Sequence, residues 1–234
     1  MAITKVTTGT IEDGTIVNAD VNAAAAIVST KLSGVESGLT SVQTFTSSGT
    51  WTRPTGITKV IMEVQGAGGS GSGSVNGENA QGGGGGGYAK KFLNVSSIST
   101  ATITVGTGGA GVVGSSGTNA GIIGGASSWA DGTNTITGNG GGAGQTTNDT
   151  PTVGGTATNG DINIQGGYGN SRFSGTGPFF GGSSMLGFGD MGKATGRTTV
   201  AQNPVGYGAG SGGAFNTGSS QAGGAGIVIV WEYK

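Results

Sequence analysis

The residues best suited to binding chemistry lie between Tyr168 and Tyr207, where aromatic and basic side chains stand among glycines. Aromatic rings bury a large area at a low cost in side-chain entropy, and they stack on the apolar faces of sugars or fill pockets in other proteins. We expect these side chains to contact a partner, with burial of the phenylalanines beside the glycines as the alternative. The candidate binding residues are Tyr168, Arg172, Phe173, Phe179, Phe180, Phe188, Arg197 and Tyr207.

Residues for catalysis or metal binding are sparse. The chain has no cysteine and no histidine, which removes thiolate chemistry, imidazole general bases and imidazole metal ligands. The carboxylates are scattered, and none has the spacing of a calcium-binding loop. Two carboxylates brought together by folding could hydrolyse a glycosidic bond, but nothing in the sequence pairs them. We therefore expect a non-catalytic protein without metal or cofactor, and a polysaccharide hydrolase is the least favoured alternative.

Two glycine motifs match nucleotide-binding patterns without the structural context that such sites need. Residues 66–71 fit GxGxxG after a predicted strand, but the glycines that follow cannot open the helix on which a pyrophosphate binds. Residues 187–193 fit GxxxxGK, but Ala194 stands where a phosphate-binding loop has Ser or Thr. In a chain with 56 glycines such matches arise by chance.

Charge and hydropathy exclude two further classes of function. The 10 basic and 11 acidic residues are dispersed, so the chain has no basic face for the phosphates of nucleic acid. The longest apolar run near the end, residues 227–231, is far too short to span a bilayer. No signal-peptide pattern follows Lys5, and we expect a soluble chain without a secretion signal of its own.

The elements that position the candidate residues are dominated by glycine, since all but six of the 56 glycines lie between Gly66 and Gly226. Glycine loses the most backbone entropy on folding and has no side chain to bury. Such a region is either disordered or packs main chain against main chain. Because 33% of the chain is hydrophobic and the glycines are clustered, we favour extended polyglycine-II segments, whose N–H and C=O groups pair between neighbours.

Strand-like runs flank the glycine-rich region. Lys59–Gln65 alternates so that Val60, Met62 and Val64 share one buried face. Residues 226–233 have the strongest strand pattern, and we expect them to pair near Lys59–Gln65 and form a base. Shorter strands are predicted at residues 43–48, 88–95, 101–105, 127–130, 134–137 and 161–165. The predicted fold is all-β, with a small β-sheet base and a glycine-rich lobe of extended segments and loops.

Residues 1–42 differ in composition and are predicted to precede a glycine-rich domain at residues 43–234. Apolar residues recur there at every fifth position, a period of neither helix nor strand, although residues 23–32 are compatible with a short helix. We expect this segment to self-associate or to attach to another protein, with a flexible tail as the alternative. The apolar positions are Val6, Ile11, Ile16, Val21 and Ala26.

Four motifs occur in order along residues 43–234: FTSSGTWTRPTGITKVIMEVQGAGGSG, GGGGGGYAKKFLNV, ITVGTGGAG and the terminal GGAGIVIVWEY. This order resembles the glycine-rich domain of bacteriophage tail-fibre proteins. The N-terminal GTIVNADVNAAAAIVSTKLSG is similar to short repeats in fibres of phages that infect cyanobacteria and other aquatic bacteria. Fibre-tip adhesins of T-even-type phages, which are built on polyglycine-II segments, are similar in composition only.

The resemblance implies a virion protein at the distal tip of a tail fibre. Such a protein binds a receptor on the bacterial surface, either a polysaccharide or an outer-membrane protein. The resemblance also implies a homotrimer that residues 1–42 attach to other tail or fibre proteins. The chain lacks a long shaft, so it would be a separate tip or a short fibre mounted directly on the tail. A purely structural component of the virion without receptor contact is the alternative.

Overall fold

A computed structural model describes the greater part of the chain from Gly38 onwards, and the described residues form antiparallel strands without any helix. The predicted all-β class is therefore confirmed for this part of the chain. The described ranges are 38–74, 80–114, 119–146, 150–171, 179–190, 203–214 and 218–234. The predicted helix at residues 23–32 and the apolar positions Val6, Ile11, Ile16, Val21 and Ala26 lie outside them.

The strands of the described residues are numbered in chain order. The longer ones are β1 (Leu39–Phe45), β2 (Gly49–Thr52), β3 (Lys59–Gln65), β4 (Tyr88–Asn94), β5 (Thr100–Thr104), β6 (Ser127–Ala130), β7 (Thr135–Gly138) and β12 (Ile227–Tyr233). The short ones are β8 (Ala157–Thr158), β9 (Ile162–Ile164), β10 (Gly187–Phe188) and β11 (Val205–Gly206). Each predicted strand overlaps an observed one, whereas β2, β8, β10 and β11 were not predicted.

The first sheet contains five antiparallel strands in the order β1-β12-β3-β4-β9. Strand β12 pairs with β3 along its whole length, from Ile227 opposite Gln65 to Tyr233 opposite Lys59. The predicted pairing of these two runs is thus confirmed. On its other side β12 pairs with β1, through which the chain enters the sheet.

A second five-stranded sheet, in the order β2-β5-β6-β7-β8, packs on the first and makes the base a sandwich. Val60, Met62 and Val64 of β3 are fully buried between the sheets, as the alternation predicted. Trp51 and Trp129 of the second sheet close the core, with ring centroids 6.0 Å apart and ring planes at 55°. Tilted aromatic pairs stabilise by roughly 0.5–1.5 kcal/mol beyond the area they bury. The sequence did not predict this facing sheet.

A buried carboxylate ties the edge strand β1 to both sheets. Glu232 of β12 is fully buried and accepts hydrogen bonds from Ser41 Oγ at 2.5 Å and from Gln43 Nε2 at 2.7 Å, both on β1. The indole Nε1 of Trp51, on the second sheet, donates to the same carboxylate at 2.7 Å. A buried charge is tolerated only when such donors replace its lost hydration. The three bonds therefore fix the strand by which the chain enters the sandwich.

The glycine-rich segments leave the sandwich at one end and form the glycine lobe, which comprises the described residues of 66–87, 106–126, 139–156, 166–190 and 203–226. Gln65, Tyr88 and Ile227, which border three of these segments, lie side by side in register. The segments run outward from one strand and back to the next. The lobe therefore continues the sandwich away from the end at which β1 begins.

The hydrogen bonds of residues 82–87 recur at every third residue. Their N–H groups reach three neighbouring segments: Gly83 and Gly86 donate to Ser211 and Gly208, Gly84 and Gly87 to Gly142 and Asn139, and Gly85 to Gly167. Their carbonyls reach three more: Gly83 accepts from Gly182, Gly84 and Gly87 from Gly69 and Gly66, and Gly85 from Gly155. Three residues per turn with bonds only to neighbours is the polyproline-II pattern. The predicted polyglycine-II arrangement is confirmed.

Residues 66–72 form a second central segment with the same pattern. Their N–H groups donate to three segments: one that contains Gln81, Gly84 and Gly87, a second with Ile122 and Gly125, and a third with Gly224. Their carbonyls accept from three more: one that contains Gly141 and Gly144, a second with Gly109, and a third with Ser211 and Ala214. Each of the two glycine runs that dominate the sequence thus has six neighbouring segments, one of which is the other run.

At the central glycines, the spacing between the segments leaves no room for a side chain. A Cβ atom added to Gly86 would lie 2.0 Å from the carbonyl oxygen of Gly66, and one added to Gly69 would lie 2.0 Å from that of Gly142. Such distances are far below van der Waals contact, and the obstructing atoms are backbone. Glycine is required here because of this close approach.

Candidate functional site

The lobe has a far end, opposite the sandwich, at which the described segments turn back. Gly73 forms a bridge with Asn119, and the N–H of Ala214 donates to the carbonyl of Ser72. Gln81 Nε2 donates to the carbonyl of Thr150 at 3.0 Å. These contacts bring the ends of several out-and-back pairs together. The connections at residues 75–79, 115–118, 147–149, 172–178 and 215–217 lie outside the described residues.

The opposite end of the sandwich receives the chain. Leu39, the first residue of β1, lies opposite Tyr233, and Tyr233 lies opposite Lys59. Lys59 in turn lies opposite Asn94, where β4 ends. The described domain therefore has an entry end and a far end.

Two short antiparallel strands present apolar side chains on one edge of the lobe. Strands β10 and β11 pair so that Phe188 lies opposite Val205. Phe188 is 77% exposed and Val205 is 70% exposed, which is unusual for apolar residues in direct register. Gly206 has a φ of +86°, a conformation that side-chain-bearing residues rarely adopt, and it lets the strand end beside Gly187.

Two neighbouring segments extend this apolar surface. The N–H of Asn170 donates to the carbonyl of Phe180 at 2.9 Å, and the N–H of Gly167 donates to Ser183 at 2.7 Å. The segment that carries Tyr168 therefore lies beside the one that carries Phe180. The N–H of Gly181 in turn donates to the backbone carbonyl of Asp190 at 2.9 Å, two residues after strand β10. We call the exposed residues of these segments the aromatic edge: Tyr168, Phe180, Met185, Phe188, Val205 and Tyr207.

The aromatic edge contains four of the eight candidate residues from the sequence. Tyr168, Phe180, Phe188 and Tyr207 are exposed. Phe179 corrects the prediction, because it is only 1% exposed and fills the lobe instead of facing a partner. Burial beside glycines was the alternative for the phenylalanines, and it holds for this one. Arg172, Phe173 and Arg197 lie outside the described residues.

Sequence reasoning missed Met185 and Val205. Both are exposed large hydrophobic residues on the aromatic edge. Neither belongs to a periodic run, and Val205 stands between Pro204 and Gly206. A two-residue strand has no detectable alternation, so only the paired backbone reveals that Val205 faces outward beside Phe188.

The described part of this edge is almost free of charge. Over the described residues of 166–190 and 203–207, Asp190 is the one charged residue, and it is 7% exposed. Apolar side chains with a large exposed area and no surrounding charge are typical of sites that bind another molecule. The arrangement can bind apolar or aromatic surface.

A second region with binding geometry lies at the entry end of the sandwich. A cleft of about 460 Å³ is lined by Lys91, Thr133 and Asn134 together with Asn159. Asn159 has a φ of +63° and donates from Nδ2 to the carbonyl of Thr135 at 2.7 Å. The cleft offers polar side chains and one cation. No motif in the sequence indicated it, because its residues come from strand β4 and from separate turns.

The β6–β7 turn borders this cleft and was predicted as a hairpin at Asp131 and Gly132. Burial alone would raise the pKa of the Asp131 carboxyl, but hydrogen bonds from Asn134 and Thr133 outweigh it and lower that pKa. The carboxylate accepts from the N–H of Thr133 at 2.8 Å and of Asn134 at 2.6 Å. These bonds fold the turn, so Asp131 has a structural role.

The described residues contain no group of three potential metal-ligating side chains from His, Cys, Asp and Glu. They also contain no helix long and apolar enough to cross a membrane.

Comparison with known families shows to which protein family the chain belongs. Residues 40–233 match the glycine-rich domain family over nearly the whole sandwich and lobe. The chain belongs to this family. The resemblance that the motifs indicated is thus supported at the level of the glycine-rich domain. A comparison with curated proteins finds no match.

Proposed function

We propose that this glycine-rich domain protein is the tip of a bacteriophage tail fibre and binds a receptor on the host bacterium. The observation that supports this proposal most is the aromatic edge. On it Phe188 and Val205 lie opposite each other on two antiparallel strands and remain 77% and 70% exposed. Large exposed apolar side chains on neighbouring segments are typical of a site that a partner covers.

The glycine lobe gives such a surface a rigid support. The segments beside the aromatic edge are bonded to the central glycine segment through their main chains, as the bond from Gly182 to Gly83 illustrates. A support that is rigid before binding lowers the entropy cost of association. Side chains mounted on it can vary without altering the hydrogen bonds beneath them, which suits a protein that must follow changes in its receptor.

The two ends of the domain suit the proposed place in the virion. The chain enters one end of the sandwich at Leu39. The lobe extends from the other end of the sandwich, so its far end is the part of the domain most distant from the entry. Residues 1–42 would attach the domain to other tail or fibre proteins as part of a homotrimer. Several copies on one particle would raise the avidity of weak single contacts by orders of magnitude. The proposal involves no catalysis, metal or cofactor.

Phage particles that carry variants of the aromatic edge test the proposal. We expect Phe188→Ser with Val205→Ser to abolish adsorption to the host, or to change the range of strains that are infected. Val113→Ser, at a residue 63% exposed elsewhere on the lobe, is the matched control and should leave adsorption unchanged. Exchange of residues 168–207 for those of a related fibre should transfer the host range.

The alternative is a structural tail component without receptor contact. It would be favoured if particles with the double variant assemble and adsorb to the same strains at the same rate. Release of reducing sugar from surface polysaccharide by the purified protein would instead favour a hydrolase. Each result contradicts the receptor-binding proposal in a different way.

A further inference from the structure

The first sheet has an apolar outer face in addition to the core face. An antiparallel sheet with one face on a core normally places polar residues on the other face. Here Val42, Trp231, Ile61 and Phe92 lie opposite one another in register on β1, β12, β3 and β4. In β3, Ile61 alternates with buried Val60 and points away from the core. The row therefore crosses the sheet on the side that no part of the second sheet covers.

The next row along the strands extends this surface. Ile229 lies opposite Glu63, Glu63 opposite Lys90, and Lys90 opposite Ile162. Phe92 and Ile162 are each 52% exposed, and Val42 is 43% exposed. The apolar run of β12 in the sequence thus has a physical reason, since both of its faces are apolar. Thr44 of β1 lies opposite Ile229 and completes this row. We call these two rows the outer face: Val42, Trp231, Ile61, Phe92, Thr44, Ile229, Glu63, Lys90 and Ile162.

The outer face is large enough to form the centre of a contact between chains. Its two rows cross four strands about 4.8 Å apart and take up about 13 Å along each strand, which gives roughly 250 Å² in projection. A standard protein interface takes ~800 Å² from each partner, so the outer face would supply its apolar centre and the surrounding surface would supply the rim.

The charges of the outer face are self-complementary. Glu63 and Lys90 form an ion pair at 3.4 Å, with side chains 13% and 39% exposed. Tyr88 lies beside them, and burial together with the Glu63 carboxylate raises the pKa of its phenol, which therefore stays neutral. The two rows contain one acid and one base, which are adjacent, so the rows have no net charge. A second copy can bring its lysine to the first copy's glutamate and its glutamate to the first copy's lysine.

We propose that the outer face packs against the same face of other copies of this chain. The reciprocal pairing of Glu63 with Lys90 requires a two-fold contact between copies, which differs from the homotrimer that the resemblance implies. The inference does not depend on a receptor. The strands of the first sheet run from the entry end to the lobe. Copies that meet on this face around an axis along the strands therefore carry their lobes at the same end.

Mass measurement of the full chain in solution tests the inference. We expect the wild-type protein to be oligomeric in sedimentation velocity at micromolar concentration, and Phe92→Arg to weaken self-association at least tenfold, or about 1.4 kcal/mol. Val113→Arg is the control, because it adds the same charge at a similarly exposed apolar residue of the lobe. It should leave the mass unchanged.

Charge reversal separates contact between copies from stability within one copy. E63K and K90E should each lower the measured mass of the protein, since like charges then meet across the interface and the oligomer dissociates. An equal mixture of the two variants should recover the oligomer, because a face with two positive charges meets one with two negative charges. Recovery in the mixture requires contact between different copies.

Two results would overturn the inference. A wild-type chain that stays monomeric would mean that a different protein covers the face. If none of these variants changes the mass of the oligomer, the contact between copies lies elsewhere. If the variants then also have lower melting temperatures, other residues of the same chain cover the outer face. Adsorption experiments on the aromatic edge are independent of these outcomes, so the receptor proposal and this one fail separately.

Discussion

In the sandwich, Met62 is buried by side chains from the facing sheet, whereas in the lobe Gly86 is buried by the main chains of its neighbours. Both residues are inaccessible to solvent. The sandwich gains its stability from apolar area, at about 25 cal/mol per Å². The lobe offers little apolar area and relies on hydrogen bonds that its extended segments cannot make within themselves.

The difference teaches which changes each region tolerates. A side-chain core adapts to a change of volume because neighbouring rotamers can shift. A packed main chain has no rotamers, so the addition of a single methyl group displaces a whole segment. The sandwich should therefore suffer most from atoms removed, and the lobe from atoms added.

The largest effect is expected from Gly86→Ala in the centre of the lobe. The new Cβ would meet the carbonyl oxygen of Gly66 at 2.0 Å and its carbonyl carbon at 2.4 Å. Both atoms belong to backbone that six neighbouring segments hold in place. We expect a loss of more than about 4 kcal/mol in the free energy of unfolding, which is exceptional for one residue. Denaturant unfolding and amide hydrogen exchange would measure it.

Gly49→Ala at the start of β2 is the matched control, because no atom lies within 4 Å of its added Cβ. Its effect should stay within about 0.5 kcal/mol, as for ordinary surface changes. Equal stability of the two variants would show that the lobe yields as easily as a surface strand. The idea of a lobe fixed by its main chain would then be wrong.

Met62→Ala should give the next largest effect and should act on the sandwich. Removal of a fully buried methionine side chain from a core typically costs about 2–5 kcal/mol, because the cavity collapses only in part. Protection of the amides at residues 82–87 should persist in the variant under native conditions. Early loss of protection in the lobe would mean that its hydrogen bonds depend on the packing of the core.

Ser211→Ala tests a side chain that takes part in the main-chain network. Ser211 Oγ accepts from the N–H of Gly71 at 3.0 Å and donates to the carbonyl of Gln221 at 2.5 Å. Its loss leaves a buried donor without a partner, which costs about 1–3 kcal/mol. Ser97→Ala, in an exposed turn, serves as the control. Identical melting curves for the two variants would contradict this role of Ser211.

The sequence predicts the sandwich well where alternation is long enough to detect. Lys59–Gln65 and the run at 227–233 have buried side chains at alternate positions, and their pairing follows from their place at the two ends of the domain. The facing sheet was not predicted, because β2 and β8 are too short to show a period. The choice of partner for each glycine segment also leaves no mark on the sequence, since every glycine presents the same N–H and C=O.

The candidate site could be predicted only in part for the same reason. Composition singled out the aromatic residues, but it could not separate Phe179 from Phe180, which are adjacent and have opposite environments. In an extended segment with three residues per turn, neighbouring side chains point in different directions. Which direction meets solvent depends on the segments alongside, and those come from distant parts of the chain.

The smallest expected effect concerns pH and separates the two regions by charge. In the described part of the lobe Asp190 is the one residue among Asp, Glu, Lys and Arg, whereas the sandwich contains pairs such as Lys91 and Asp161 at 3.3 Å. The N–H of Phe92 donates to Asp161 at 2.8 Å, and this bond, followed by that from Lys91, lowers the pKa of the Asp161 carboxyl.

A carboxyl with a lowered pKa in the folded state stabilises the fold at pH values above its ordinary pKa of 3.8. This contribution is lost as the pH falls through the lower folded value. We therefore expect Asp161→Asn to melt slightly below the wild type at pH 7 and to equal it near pH 2. Amides of the lobe should keep their protection over this range, because few charges there titrate. If the amides of the lobe lost their protection from hydrogen exchange at a higher pH than those of the edge strand β9, the contrast between the two regions would be wrong.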